Sequence, residues 1–413
     1  MNYFTNSKHP YNPLKGILNL FKKLFSTILL LFIGFQSNAQ EITLSENAEI
    51  SILTIGPGQQ LYDSFGHSAF RVKDQKQNID VVYNYGTYDF DTPNFYLKFA
   101  QGKLMYQIAY NNYKPFYNYY VRQNRWIKEQ VLHLTIVEKQ GMFDFLLNNA
   151  KPENKDYLYD FLFDNCATRI RDVMVTVLGD ELVYSDDYIT EEYTFRQLIQ
   201  KNVYWNSWGS LGMDTAIGAV VDQNASTWQY QFLPQYVFEA AAIAILQKDG
   251  TKKDLVKKTN FIYENTENDT RGNFFLSPLF VFGIIALLIL FVTFKDSKNE
   301  TRSRYLDGTI YLVTGFIGIL ILLLWLATEH STTANNYNLL WAFPLSLLFV
   351  VGISKKNPKK WMRKYVFFQV LLILLLCIHW ISGIQVFPYG LIPLLIALAI
   401  RYVYLLKFLN TRK

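Results

Sequence analysis

The chain has 413 residues, of which 50% are hydrophobic, 17% aromatic and 18% charged. This composition excludes a disordered chain, which needs low hydrophobicity and high charge, and two cysteines exclude a disulfide scaffold. The net charge of +6 is an average: residues 41–272 carry 22 basic against 30 acidic side chains, and residues 273–413 carry 14 against 4. The basic excess therefore sits in the apolar C-terminal third, where it is no nucleic-acid footprint.

Lys22 and Lys23 precede the uncharged run Leu24–Phe35. About a dozen apolar residues are too few to span a bilayer comfortably and suit the core of a signal peptide. Ser37-Asn38-Ala39 supplies small residues for cleavage before Gln40. Residues 1–39 are thus expected to be a signal peptide with an N-terminal extension, and the rest to be exported. Residues 40–247 read as an α+β domain. Glu49–Ile55, Ser68–Lys73 and Ile79–Tyr85 are strand-like, with a turn at Gly56-Pro57-Gly58. Gln130–Val137 is β-rich and Gly141–Asn149 reads as a short helix. Ala167–Leu178 is a stronger helix, capped by Asn165 and ended by Gly179. Leu233–Leu246 is expected to be the last helix of the domain, and the polar stretch 248–273 a linker or hairpin into the membrane.

A membrane domain is expected over 274–408, with five spans at about 274–294, 309–327, 339–353, 365–382 and 386–404. Basic residues follow the first span (Lys295, Lys298, Arg302, Arg304), separate the third from the fourth (355–364) and end the chain (Lys407, Arg412, Lys413). The positive-inside rule puts all three groups on the inner side. The loops Thr328–Asn338 and Gly383–Tyr389 lack Lys and Arg and face out. The α+β domain is therefore outside, as the signal segment independently requires. Arg401 is expected to snorkel toward the inner face, and Cys377 and His379 to pack within the fourth span.

Cys166 is the only cysteine of the exported domain. At a helix start, the dipole and free amides favour a thiolate and could hold an oxyanion; the plainer reading is a small buried hydrophobe. A thiolate nucleophile needs a base. His67, after a glycine at the mouth of a strand, suits that role better than His133 inside a β-rich run. A third residue must hold the imidazole's tautomer. The next strand offers Asn84, Tyr85 and Asp89, with Asn84 preferred for its central position. Tyr85, Arg169, Glu329, His330 and Asn338 are candidates for substrate binding; the last three lie in an outer loop that would otherwise be plain interfacial anchoring. No P-loop, nucleophile elbow, His-Glu-x-x-His or metal-spaced His/Cys cluster occurs, so neither a metal nor a cofactor is expected.

Phe65–Val72, around His67, and Tyr159–Asp172, around Cys166, stand in the order His then Cys, the reverse of papain. This order resembles the circularly permuted papain-like branch of the NlpC/P60 superfamily. More closely, the chain resembles the Lnb family of Bacteroidota, with further matches at Leu44-Ser45-Glu46, Tyr83–Phe90 and Asn338-Leu339-Leu340-Trp341. The resemblance covers nearly the whole mature chain. It implies a periplasmic thiol-enzyme domain followed by a five-helix bundle in a bacterial inner membrane. It implies lipoprotein N-acylation, with an acyl chain moving from a phospholipid to the N-terminal amine of a diacylated lipoprotein. Cys166 would carry the chain as a thioester, His67 would shuttle the proton and Asn84 would complete the catalytic set. The partners are then phospholipid and diacylated lipoproteins, with no nucleic acid. The alternatives are a membrane-anchored cell-wall peptidase or amidase of the same superfamily, and a non-catalytic binding module.

Overall fold

The structure, a computed structural model, describes residues 21–24, 42–248, 250–266 and 273–411. The expected signal segment falls almost wholly outside these residues, as do Arg412 and Lys413. Residues 1–43 and 44–413 form two compact units. In the first, residues 21–24 are helical; everything below concerns the second.

The exported part runs β1 (Glu49–Ile55), β2 (His67–Asp74), β3 (Ile79–Thr87), α1 (Phe95–Ala100), β4 (Met105–Asn112), α2 (Tyr113–Arg122), β5 (Ile127–Leu132), α3 (Ile136–Asn149) and β6 (Asp156–Leu158). It continues through α4 (Cys166–Leu178), β7 (Leu182–Val183), α5 (Phe195–Lys201), α6 (Trp208–Ala216), α7 (Thr227–Tyr230), α8 (Pro234–Ile243), β8 (Ile245–Lys248), β9 (Thr251–Asp254) and β10 (Val256–Tyr263). Seven strands form one antiparallel sheet in the order β10-β5-β1-β2-β3-β4-β6. Strand side chains alternate between faces. Phe70, Val72, Tyr83 and Tyr85 point to one face, where α3, α4 and α8 bury Phe143, Ile170, Met174 and Val237 against them. Ala69 and Val82 point to the other, covered by Phe116 and Tyr120 of α2.

Three expectations change. The β-rich stretch Gln130–Val137 is strand only to Leu132; Thr135 and Glu138 then form a capping box that starts α3 five residues before Gly141. The expected helix Leu233–Leu246 stops at Ile243, and Ile245 and Leu246 pair in a three-stranded sheet with β7 and β9. The stretch expected to be a linker or hairpin is largely strand: β8 and β9 form a hairpin at its start, β10 completes the seven-stranded sheet beside β5, and Thr266 is tied to Asn124. β10 is an exposed edge strand, so polar side chains are compatible with pairing and hide it from a hydrophobicity reading.

The membrane part holds α9 (Pro278–Lys298), α10 (Arg304–Leu326), α11 (Ser346–Ser354), α12 (Met362–Ile381) and α13 (Ile392–Thr411). Among the described residues four helices are long and apolar enough to cross a membrane. The expected third span is not such a helix. It is a 3-10 turn at Tyr337–Leu340, a break around Pro344, and α11, whose nine residues rise only about 14 Å. This segment still joins the two ends of the bundle. Asn338 Nδ2 donates to Asp214 O at 3.1 Å in the exported part, and Arg302 donates to Ile353 O at 2.9 Å at the basic end. It lies directly on the α10 backbone: a Cβ at Gly315 would come within 2.5 Å of Leu347 N, and one at Gly318 within 2.1 Å of Ala342 O.

Arg401 does not snorkel. It is fully buried, donating from Nε to Asp307 and from Nη1 to Asp296, both at 2.8 Å. Two carboxylates supplied by α9 and α10 let the guanidinium stay inside. Removing one partner of a buried ion cluster leaves uncompensated charge. Arg401→Met is therefore expected to lower stability by roughly 3–5 kcal/mol, read as a fall in detergent-solubilised melting temperature. The exposed Lys298→Met is expected to stay within about 0.5 kcal/mol.

Candidate active site

Cys166 opens α4, and Asn165 fixes that opening. Asn165 Oδ1 accepts from the N–H groups of Ala167 and Thr168 at 2.8 and 3.0 Å, while Thr168 Oγ1 accepts from the Asn165 N–H at 2.8 Å. Its Nδ2 donates to the carbonyls of Phe161 and Phe232. The cap thus engages two of the amides that the sequence suggested were free. The Ser68 and Cys166 backbone N–H groups favour the charged form of the sulfur.

His67 begins β2. Gly66 precedes it with φ +81°, and a Cβ there would lie 2.8 Å from Ile55 O, so glycine is required for this entrance to the strand. His67 and Asn84 lie on the sheet face of Ala69 and Val82, opposite α4. His67 Nε2–H donates to Asn84 Oδ1 at 2.5 Å, an oxygen that can only accept, which leaves Nδ1 for the thiol. Tyr120 of α2 stacks on the imidazole, with ring centroids 6.1 Å apart. Thiol and imidazole therefore arrive from opposite faces of the sheet. Gly86, φ +87°, where the β3–β4 register shifts, lies beside the thiol. A Cβ at Gly86 would stand 3.5 Å from the Cys166 Cβ, and any longer side chain would enter the site.

The electrostatics follow from this placement. Burial alone lowers the pKa of His67 and raises that of Cys166. The opposite charge of the partner and the hydrogen bond between them outweigh burial in both cases, helped by Asn84 for the imidazole and by the Ser68 N–H for the sulfur. The net result is an imidazole held above its ordinary range and a thiol held below its own. Such a pair presents a thiolate beside a proton carrier, which is the chemistry of a nucleophile.

The other candidates are placed as follows. Tyr85 points into the core with Oη on Asn149 Oδ1 at 2.5 Å. Arg169 forms an ion pair with Asp164 and lies 4.2 Å over the Tyr157 ring. The Glu329 carboxylate is 3.9 Å from Lys103 Nζ, and His330 Nε2 is 3.2 Å from Phe99 O. Asn338 is fully buried, its Oδ1 accepting from Trp341 Nε1 at 2.9 Å. Tyr85 and Asn338 therefore direct their polar atoms to the protein itself. His133 is exposed on the chain after β5, and Asp89 caps a local turn. Tyr120, Gly86 and the Ser68 amide were not anticipated. A glycine inside a strand pattern was the available signal for Gly86; nothing local marked Tyr120. A cavity of 460 Å³ opens among Tyr188, Tyr193, Lys201, Tyr230 and Tyr236, but none of His67, Asn84 or Cys166 lines it. Volume alone does not mark the chemistry here.

Two family models match the chain. One, described as the Lnb N-terminal periplasmic domain, covers residues 35–201; the other, described as the Lnb transmembrane domain, covers residues 269–413. No curated protein and no solved structure matches.

In a Cys377→Ser background, alkylation of Cys166 by iodoacetamide is expected to turn on below the ordinary thiol value, because the thiolate is present above its lowered pKa. The imidazolium is lost only as pH rises through the raised His67 pKa. His67→Ala removes the largest interaction that opposes burial of the thiolate, so the alkylation midpoint should move upward. An unmoved midpoint would show that the two groups are not coupled. Gly86→Val should slow alkylation at every pH.

Proposed function

The chain belongs to the Lnb family, and on that premise we propose that it is a lipoprotein N-acyltransferase. The family makes it a lipoprotein-processing membrane enzyme of the inner membrane, with its N-terminal domain in the periplasm. One observation carries the finer reading. Asp160, six residues before Cys166, accepts a hydrogen bond from Ser331 Oγ at 2.6 Å, and Ser331 lies five residues beyond the end of α10. The loop that delivers the thiol is thus bonded to the loop that closes a membrane span. A site held at the bilayer surface fits substrates that never leave it, and fits a cell-wall substrate less well. The order His67 then Cys166, on a strand and a helix start, supports the circularly permuted papain-like reading.

In the proposed reaction the Cys166 thiolate attacks an ester carbonyl carbon of a phospholipid. The Cys166 and Ser68 amides, which favour charge on the sulfur, would serve as donors to the oxyanion. The carbon–oxygen bond to glycerol breaks, the departing oxygen takes the proton from His67, and a lysophospholipid leaves behind a thioester. The free amine of the lipoprotein's N-terminal cysteine then attacks the thioester carbonyl. The carbon–sulfur bond breaks, the amine's proton goes to His67, and an amide and the starting ion pair result. Asn84 orients the imidazole through Nε2 and touches no substrate. Burial of the pair keeps out water that would hydrolyse the thioester.

The test is the mass of lipoprotein N-terminal peptides in a strain with no other such enzyme. Cys166→Ala is expected to leave every peptide short by one acyl chain. His67→Ala should slow acylation about 10²–10⁴-fold, and Asn84→Ala by a smaller factor. Unchanged triacylation in Cys166→Ala would sink the proposal, and altered cell-wall fragments with normal lipopeptides would turn it toward the peptidase or amidase reading.

A further inference from the structure

We propose that the segment Tyr88–Lys103, with α1 at its centre, is the portal through which the acyl chain of a bilayer phospholipid reaches Cys166. The inference rests on the acyl-transfer reading above and adds the route.

α1 buries none of its residues. Tyr96 is 80% exposed, Leu97 57% and Phe99 53%, and the preceding Phe90 is 66% exposed. An apolar patch of this kind marks a contact surface, and the attachments of the segment say what it contacts. Phe99 O lies 3.2 Å from His330 Nε2, Gln101 O accepts from the Glu329 N–H at 2.8 Å, and Lys103 Nζ lies 3.9 Å from the Glu329 carboxylate. Glu329 stands three residues beyond Leu326, the last residue of α10 and itself 70% exposed. The bare helix is therefore fastened at the outer end of a membrane span and continues its apolar surface. Lys98 and Lys103 place cations beside it, the pattern of an interfacial helix under phosphate head groups.

From this surface a run of aromatic rings leads inward. Tyr96 contacts Phe95 at 5.3 Å, Phe95 contacts Tyr88 at 5.6 Å, Tyr88 contacts Tyr106 at 5.2 Å, and Tyr106 stacks on Tyr159 at 4.3 Å. Tyr106, Tyr159 and Cys166 pack against the same core cluster. Tyr157 faces Tyr106 in the β4–β6 register, and its Oη lies 4.0 Å from where a Gly86 Cβ would sit, with Cys166 on the same spot's other side at 3.5 Å. The run begins 80% exposed at Tyr96 and ends 8% exposed at Tyr157. Ring faces and edges make the run an apolar surface for an alkyl chain.

Two measurements test the portal on the full-length, membrane-embedded protein. In the first, Leu97 is replaced by a benzophenone amino acid in a Cys166→Ala background, so that no acyl transfer is needed. Irradiation is expected to give a phospholipid adduct by intact mass, as the same probe at Leu326 should. A lipid adduct at position 326 without one at 97, or a lipoprotein adduct alone at 97, overturns the portal. In the second, Cys166 acylation is compared between long-chain phospholipid vesicles and the soluble donor p-nitrophenyl butyrate. Leu97→Asp with Phe99→Asp should lower the long-chain to short-chain ratio at least about tenfold, with iodoacetamide alkylation reporting a folded site; an unchanged ratio overturns the portal. Failure of the native protein to take an acyl group from either donor overturns the acyl-transfer reading, and the adduct at position 97 then decides the lipid contact separately.

Discussion

Burial acts against both charges at the candidate site, and their mutual attraction, helped by Asn84 and the Ser68 N–H, reverses it: the His67 imidazolium and the Cys166 thiolate stabilise each other inside the protein. Much of the local architecture serves that pairing. The Asn165 cap holds the first turn of α4 so that the sulfur has one position. Gly66 lets β2 begin with His67, Asn84 takes the far ring nitrogen, and Tyr120 covers the ring. Gly86 leaves room beside the Cys166 Cβ. Each of these contacts removes a freedom that would let the charges separate and each group neutralise.

The same pair is tied to the membrane bundle through backbone groups. The final carbonyls of α6 have no partner within their own helix. Asn336 and Asn338 supply one: their Nδ2 groups donate to Thr215 O, Ala216 O and Asp214 O, while the Gly218 and Ala219 amides donate to Thr332 O and Asn335 O. A Cβ at Gly218 would lie 1.8 Å from Ala334 O, so the two backbones are in direct contact. The outer loop is thus a dock for the exported domain, neither a freely solvated loop nor, at Asn338, a surface offered to substrate. Together with the Asp160–Ser331 bond, this dock ties the stretch before the thiol to the loop that follows α10.

The site was legible in sequence to the extent that its signals are local. An N-cap residue before an apolar helical run placed Cys166, a glycine before a strand placed His67, and strand pairing brought Asn84 into range. The β10 edge strand was missed because an exposed strand carries no apolar alternation. The third span reads as one continuous apolar stretch because apolar content predicts partition into a membrane, whereas its break at Pro344 and its close packing on Gly315 and Gly318 depend on a neighbouring helix. Arg401 was misplaced for a similar reason: its two carboxylates lie about a hundred residues away in the chain.

The sequence by itself determined which way the protein faces, where its thiol sits on a helix, and that the apolar third belongs in a bilayer. These follow from transfer energies and hydrogen-bond patterns summed over neighbouring residues, which need no knowledge of the fold. Only the tertiary structure decided that Cys166 and His67 meet, that Asn84 holds the imidazole while Tyr85 turns to the core, and that the outer loop clasps the exported domain. Those outcomes rest on groups far apart in the chain approaching to within a few ångströms. Register, a missing side chain at Gly86 and the burial of opposite charges settle such approaches, and none of these is written in any one stretch of sequence.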